Sequence, residues 1–299
     1  MHNSKPTKTT TQKIKKAAVL GFPISHSLSP RIHNYWLKKY DILGEYLAVE
    51  VRPEELKTFL DSMPKNNFLG CNLTIPLKEK ALQVMANVDP FAKFIGAVNT
   101  VIIKDGYFFG TNTDFVGFGR SLAEGIEKNG IKNYNFADKT ALVLGSGGAA
   151  RAVVFSLLSL NLNKIIIANR DVIRAGKIKE NAISNFKISP EKIEVINWNE
   201  KEQYLKQADL LINTTPLGMK GKEPLIINLK NLKKTAIVND IVYNPIETNL
   251  LKEARERGLV AIDGLGMLLH QAAPAFEAWF NIKPEVNEEL RTHVLRGLN

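Results

Sequence analysis

The run Thr140-Ala141-Leu142-Val143-Leu144-Gly145-Ser146-Gly147-Gly148-Ala149-Ala150, continuing into Arg151-Ala152-Val153-Val154-Phe155-Ser156-Leu157-Leu158, decides the fold. An apolar, strand-like segment enters a glycine-rich turn and leaves it as a helix-like segment. About 20 residues on, at the spacing of a ribose contact, a second apolar run, Lys164-Ile165-Ile166-Ile167-Ala168, ends in Asn169-Arg170. Strand, glycine turn, helix and strand in that order form a mononucleotide-binding βαβ unit. Gly145 permits the tight turn, and Gly147 lets the main chain approach a pyrophosphate with no Cβ in the way. Ala150, in the third slot, lets the helix lie close to the strand. The helix start, from Gly148 and Ala149 onward, offers free N–H groups and a partial positive charge to phosphates. The bland alternative is a glycine-rich turn without a ligand, and the second strand at the right distance argues against it.

The end of that second strand selects the dinucleotide. An NAD site places an acid there to accept from the ribose 2′-hydroxyl. Here Asn169 and Arg170 stand at that point, with Arg174 one turn further on. Two guanidiniums match a 2′-phosphate bidentately, so NADP is expected in preference to NAD. Asp171 stands beside them and would repel a phosphate if it faced the same way.

The chain has 299 residues, comfortable for two domains. At 44% hydrophobic and 23% charged it has the composition of a soluble globular protein. No apolar stretch approaches the roughly 20 residues that cross a bilayer, and the polar N-terminus does not have a secretory pattern. No membrane partner is expected, nor a metal site. The single cysteine, Cys71, rules out a disulfide within the chain and fits a reducing, cytoplasmic compartment. It lies in an apolar run, as a buried small residue does. The formal net charge of +10 is spread along the chain without a nucleic-acid-binding motif. It suits an anionic cofactor and an anionic substrate better than a nucleic acid. Residues 1–16, rich in Lys and Thr and free of acids, read as a disordered basic tail.

Alternating strand and helix runs predict an α/β protein. Strands are expected over 17–22, 44–51 and 68–75, and helices over 30–41, 53–63 and 76–85, each opened by a proline. Runs 98–104 and 107–110 flank Asp105-Gly106, a hairpin signal. After a helical segment from Asp114, the glycine-turn strands and those expected at 192–198, 210–215, 236–242 and 259–263 make a six-stranded, doubly wound parallel sheet. Two helices, over 267–280 and 284–298, then return to pack on the first domain.

Three polar clusters lie outside the dinucleotide unit. In Ser25-His26-Ser27-Leu28-Ser29-Pro30, Ser27 and Ser29 alternate around Leu28 beside a helix start. Two hydroxyls there can hold a carboxylate, and Ser29 as a helix cap is the competing role. In Asn72-Leu73-Thr74-Ile75-Pro76-Leu77-Lys78, Asn72 and Thr74 share one strand face. Lys78 stands near a helix N-terminus, where a cation is electrostatically disfavoured; a solvent-exposed lysine is the competing role. The third cluster is Asn99-Thr100 with Asn112-Thr113-Asp114. Asp114 either caps the next helix or pairs with Lys78 and orients it for proton transfer.

From about Ala17 onward the chain resembles the shikimate dehydrogenase family. The resemblance is carried, in the family's order, by Gly21-Phe22-Pro23-Ile24-Ser25-His26-Ser27-Leu28-Ser29-Pro30, Asn72 to Lys78, Gly96-Ala97-Val98-Asn99-Thr100, Asn112-Thr113-Asp114, the Gly145 loop, Asn169-Arg170, and Asp263-Gly264-Leu265-Gly266-Met267-Leu268. It implies a substrate-binding domain over 17–113 and 265–299 and an NADP-binding Rossmann domain over 114–264. It implies that Ser27 and Ser29 bind the substrate carboxylate and that Thr74, Asn99 and Asp114 hold ring hydroxyls, with Tyr243 and Gln271 as further substrate contacts. Lys78, with Asp114, would be catalytic. Gly145, Ser146, Gly147, Gly148, Ala149, Asn169, Arg170, Arg174, Ile241 and Gly264 would bind NADP. The implied reaction is the reversible NADPH-dependent reduction of 3-dehydroshikimate to shikimate, in aromatic amino acid biosynthesis, by a monomer or homodimer. A quinate/shikimate dehydrogenase with mixed cofactor use and a non-catalytic NADP-binding regulator are the competing expectations. Asp171 departs from the small hydroxyl residue common in NADP-specific relatives.

Overall fold

The computed structural model describes residues 14–298. Five strands form a first sheet: β1 (Lys15–Gly21), β2 (Gly44–Glu50), β3 (Phe68–Leu73), β4 (Thr100–Lys104) and β5 (Tyr107–Thr111), in the order β2-β1-β3-β4-β5. β1 is parallel to β2 and β3, whereas β4 and β5 close the edge as an antiparallel hairpin. Asp105 and Gly106 turn that hairpin with φ of 51° and 79°, the paired positive φ that a two-residue loop of matching twist requires. Helices α1 (Ser29–Lys39), α2 (Leu56–Ser62), α3 (Leu77–Val84) and α4 (Pro90–Ile95) belong to this half, and α5 (Asp114–Lys128) leads out of it.

Six parallel strands form the second sheet: β6 (Thr140–Leu144), β7 (Lys164–Asn169), β8 (Ile193–Asn197), β9 (Leu210–Asn213), β10 (Ile237–Asp240) and β11 (Val260–Ile262). Their order is β11-β10-β9-β6-β7-β8, with the switch point between β6 and β9. This is the doubly wound arrangement, which opens a ligand crevice at the carboxyl ends of the strands. Helices α6 (Gly148–Ser159), α7 (Val172–Phe186) and α8 (Asn249–Glu256) cross over it. The central strands β6, β7, β9 and β10 are buried on both faces, in two separate apolar clusters, which is why they read as apolar runs rather than alternating ones.

The chain then returns. α9 (Leu265–Phe280) and α10 (Glu288–Leu295) share one apolar cluster with α1 and β1. Trp36 Nε1 donates to the Glu285 carbonyl at 3.0 Å and Arg31 to the His293 carbonyl at 3.0 Å, fixing that return. α9 also lies along α5. A Cβ on Gly117 would stand 2.6 Å from the Gln271 Cβ, and one on Gly266 would stand 2.4 Å from the Ser121 hydroxyl, so the two helices approach through glycines.

Several expected boundaries shift. Lys15 and Lys16, expected in the tail, are the first residues of β1, in register with Gly44 and Glu45; residues 1–13 of the expected tail lie outside the described residues. α2 starts at Leu56 rather than Pro53: residues 53–55 form a turn in which the Glu55 N–H donates to the Arg52 carbonyl at 3.0 Å and the Glu55 carboxylate accepts from the Arg52 N–H at 2.9 Å. The last helix starts at Glu288 rather than Pro284, capped by Asn287, whose side chain accepts from the Leu290 N–H. α4 had not been expected. Asp89 caps it by accepting from Ala92 N–H at 2.7 Å, and Gly96 ends it in a left-handed conformation. Among the described residues, no helix is long and apolar enough to cross a membrane.

Candidate active site

Lys78, on the first turn of α3, and Asp114, the first residue of α5, are brought together. The Lys78 ammonium pairs with one Asp114 carboxylate oxygen, and both side chains are largely withdrawn from solvent. The other oxygen accepts from Asn99 Nδ2 at 2.9 Å. Asp114 is therefore not a helix cap: Thr113 holds the cap position and makes no capping bond with its side chain. Lys78 is not a solvated surface lysine either.

Asn99 is the hub of this cluster and is 2% exposed. Its amide nitrogen also reaches Thr113 Oγ1 at 3.0 Å and Gln271 Oε1 at 3.3 Å. Its carbonyl oxygen accepts from the Thr113 N–H at 2.7 Å and from the Thr100 hydroxyl at 2.9 Å. Gln271 is locked from the other side by donating to the Leu268 carbonyl at 2.9 Å. Behind Asn99 stands a second layer that the sequence did not assign. Asn72 donates to Thr100 Oγ1 at 3.0 Å and accepts from the Tyr46 hydroxyl at 2.7 Å. Most buried polar side chains find a hydrogen-bond partner, and here each satisfies the next. The signal was Asn72 beside Thr74; the structure turns Asn72 into the support and leaves Thr74 at the strand end, its methyl against Gly21.

Ser27 and Ser29 sit together at the start of α1, where the Ser29 N–H donates to Ser27 Oγ at 3.3 Å. Leu28 occupies the cap position with no side-chain cap bond, and Ser29 is already helical. Ser29 is therefore not the cap of α1. Tyr243 follows β10 and packs into the cluster shared by α1 and α9; burial pushes its hydroxyl above the usual tyrosine range.

Across the crevice lies the glycine loop. Gly145 has φ +107°, and a Cβ there would stand 2.8 Å from Thr214 Oγ1. Gly147 caps α6 without any side-chain bond, and a Cβ on it would meet nothing within 4 Å. An uncapped helix start facing open space is what a pyrophosphate requires. Ser146 is buried in the turn, and Ala149 follows Gly148 in the first turn of α6. A Cβ on Gly148 would lie 3.5 Å from the Lys78 stem, so the dinucleotide helix starts against the lysine itself. Gly264 approaches Ile241 so closely that a Cβ would stand 2.1 Å from its carbonyl oxygen. Both are at the carboxyl edge of the second sheet. Thr214 and Thr215, not singled out in the sequence, close the same edge: Thr214 donates to the Leu144 carbonyl at 2.6 Å and Thr215 to Asn213 Oδ1 at 2.7 Å. Their signal was Asn213-Thr214-Thr215-Pro216 after an apolar strand.

At the end of β7, Asn169 donates to the Asp171 carbonyl at 2.8 Å and Arg170 lies 5.9 Å over the Trp198 ring. Asp171 caps α7, its carboxylate accepting from the Arg174 N–H at 2.9 Å. That carboxylate is thereby committed to the helix start. Arg174 reaches the other half of the molecule and pairs with Glu79 at 2.5 Å. The open glycine cradle and the two arginines fit a dinucleotide carrying a 2′-phosphate. Cys71 is buried, and burial pushes its thiol well above the usual range.

The family model described as shikimate dehydrogenase substrate binding domain matches residues 19–101. That for shikimate / quinate 5-dehydrogenase matches 127–236, and that for the shikimate 5'-dehydrogenase C-terminal domain matches 264–288. The chain is 43% identical to the shikimate dehydrogenase (NADP(+)) of Paramagnetospirillum magneticum over 284 residues, covering 95% of this chain and 99% of the relative. A shikimate dehydrogenase solved in complex with NADP+ superposes with a TM-score of 0.87 at 34% identity over 96% of each chain. The Thermus thermophilus shikimate 5-dehydrogenase, solved with NADP(H) and shikimate, gives 0.81 at 34% identity over 95% of this chain and 100% of that one.

Proposed function

The chain belongs to the shikimate dehydrogenase family, and from that premise we propose how its residues carry the reaction. The protein is an NADP-dependent oxidoreductase that reversibly reduces 3-dehydroshikimate to shikimate. The observation that carries the assignment of residues is the Lys78–Asp114 pair, held by Asn99 and facing the start of α6.

In this proposal the substrate domain comprises 17–113 and 265–299 and the NADP domain 114–264. Ser27 and Ser29 receive the substrate carboxylate at the start of α1, where free N–H groups favour an anion. Thr74, Asn99, Asp114 and Gln271 order the ring hydroxyls, and Tyr243 closes the carboxylate side. Gly145 to Ala149 hold the pyrophosphate; Asn169, Arg170 and Arg174 hold the adenosine ribose and its 2′-phosphate; Ile241 and Gly264 flank the nicotinamide. When bound, the dinucleotide would supply the hydride that the ring ketone needs. Lys78 gives its proton to the ketone oxygen, and in the reverse direction takes it back from the hydroxyl. Asp114 holds the ammonium in place and compensates its charge in a site largely withdrawn from water. The cytoplasm is the proposed compartment, with a monomer or homodimer as the working form.

Absorbance at 340 nm, followed with shikimate and with quinate, each with NADP+ and with NAD+, tests the assignment. The shikimate–NADP+ rate should exceed the other three by about tenfold or more, since a misfit hydroxyl or an absent phosphate each removes a good part of the recognition energy. A quinate rate equal to the shikimate rate would overturn the substrate assignment. Absence of all four rates despite NADP+ binding would overturn catalysis.

A further inference from the structure

The ion pair between Arg174 and Glu79 joins the two halves of the molecule beside the dinucleotide loop. Glu79 follows Lys78 on α3, and Arg174 stands on the first turn of α7. Their side chains are 41% and 47% exposed, so the pair is open to exchange. The nearer acid in sequence, Asp171, is bound to the Arg174 backbone N–H; the carboxylate that meets the Arg174 guanidinium therefore comes from the opposite half.

The Glu79 charge is also felt by a second cation. Arg151, on the first turn of α6, is 7% exposed and forms no ion pair among the described residues. Its guanidinium lies against Gly96, where a Cβ would stand 2.9 Å from it. Burial pulls the Arg151 guanidinium down from its ordinary range, Glu79 supports its charge, and Arg174 opposes it. Removing Arg174 from Glu79 would not strand the carboxylate, because its side chain is 41% exposed and water solvates it.

We infer that Glu79 is a specificity-determining residue for the dinucleotide: its carboxylate competes with the 2′-phosphate for Arg174. A 2′-phosphorylated dinucleotide displaces the Glu79 bridge, whereas one with a free 2′-hydroxyl leaves it standing. The preference for NADP over NAD is therefore smaller than the two arginines alone would give, and Glu79 sets the difference. The inference rests on Arg174 being a ligand of the 2′-phosphate.

Equilibrium titration of the full chain with NADP+ and with NAD+, followed calorimetrically, tests it in the wild type, Glu79→Gln, Arg174→Ala and the double variant. Glu79→Gln should tighten NADP+ by about two- to fivefold, the range of an exposed ion pair, and change NAD+ by less than about twofold. Arg174→Ala should weaken NADP+ by about tenfold or more, as loss of a charge-assisted bond does. In the double variant the Glu79→Gln gain should vanish. Unchanged or weaker NADP+ binding by Glu79→Gln, an equal change for NAD+, or the same gain without Arg174 would each overturn the competition while leaving the phosphate site intact. NADP+ binding unaffected by Arg174→Ala would overturn the phosphate role and the competition together.

Discussion

Lys78 meets Asp114 because α3 and α5 start at the same edge of the first sheet, and Asn99, just before β4, stands between them. Replacing Lys78 by Ala removes the only proposed proton carrier but not the binding groups. Its kcat should fall by about 10²-fold or more, within the range of general acid–base catalysis, with NADP+ affinity little changed; steady-state kinetics beside a binding titration checks both. The pairing was open in the sequence as one of two roles for Asp114, and tertiary approach decided it. Glu79 and Arg174 carried no such hint. They are 95 positions apart, and Arg174 faced only a nucleotide in the sequence pattern. Asn72 and Thr100 stood in the polar motifs, but their joining with Tyr46 into one layer was hidden, because hydrogen bonds between strands depend on register, which short polar motifs do not encode.

Elements were legible wherever the burial pattern was uniform. The second sheet's central strands emerge from the sequence as apolar runs, since both faces are covered. The shortest helix was not: α4 has six residues, too few for a helical period to stand out, whereas the short α2 and α3 each carried a proline at their expected start. Nor does the sequence show which helices touch through glycine. The contact between α5 and α9 at Gly117 leaves no space, a Cβ there falling 2.9 Å from the Gln271 N and from the Met267 carbonyl oxygen. Gly117→Ala must push α9 away, at about 1–3 kcal/mol as overpacking does. Because Gln271 rides on that turn, KM for shikimate should rise severalfold while KM for NADPH stays within about twofold. Thermal unfolding and the two KM values measure this, and an equal rise in both would place the damage elsewhere.

At the scale of the whole molecule, the returning helices are bound to the first sheet through an aromatic cluster with His33 at its centre. His33 is fully buried, stacks on Tyr46 at 4.0 Å between ring centroids, and among the described residues has no hydrogen-bond partner for either ring nitrogen. Burial pushes its imidazole down to about 3 from the ordinary 6.5. A folded-state value below the unfolded one gives stability that is whole above about pH 6.5 and is lost as the pH falls toward 3, by up to about 1.4 kcal/mol per unit. Urea unfolding at several pH values should therefore show the wild type losing stability against His33→Phe between pH 6 and 4. Parallel curves would assign acid sensitivity to other groups. Where the two halves meet, α6 begins on the methylenes of Lys78, and the Val98 N–H donates to the Lys78 carbonyl at 2.9 Å. Lys78 is thus clasped from both sides, its backbone by the half that carries it and its stem by the helix of the other, so a shift of either half is felt first at the one side chain proposed to pass the proton.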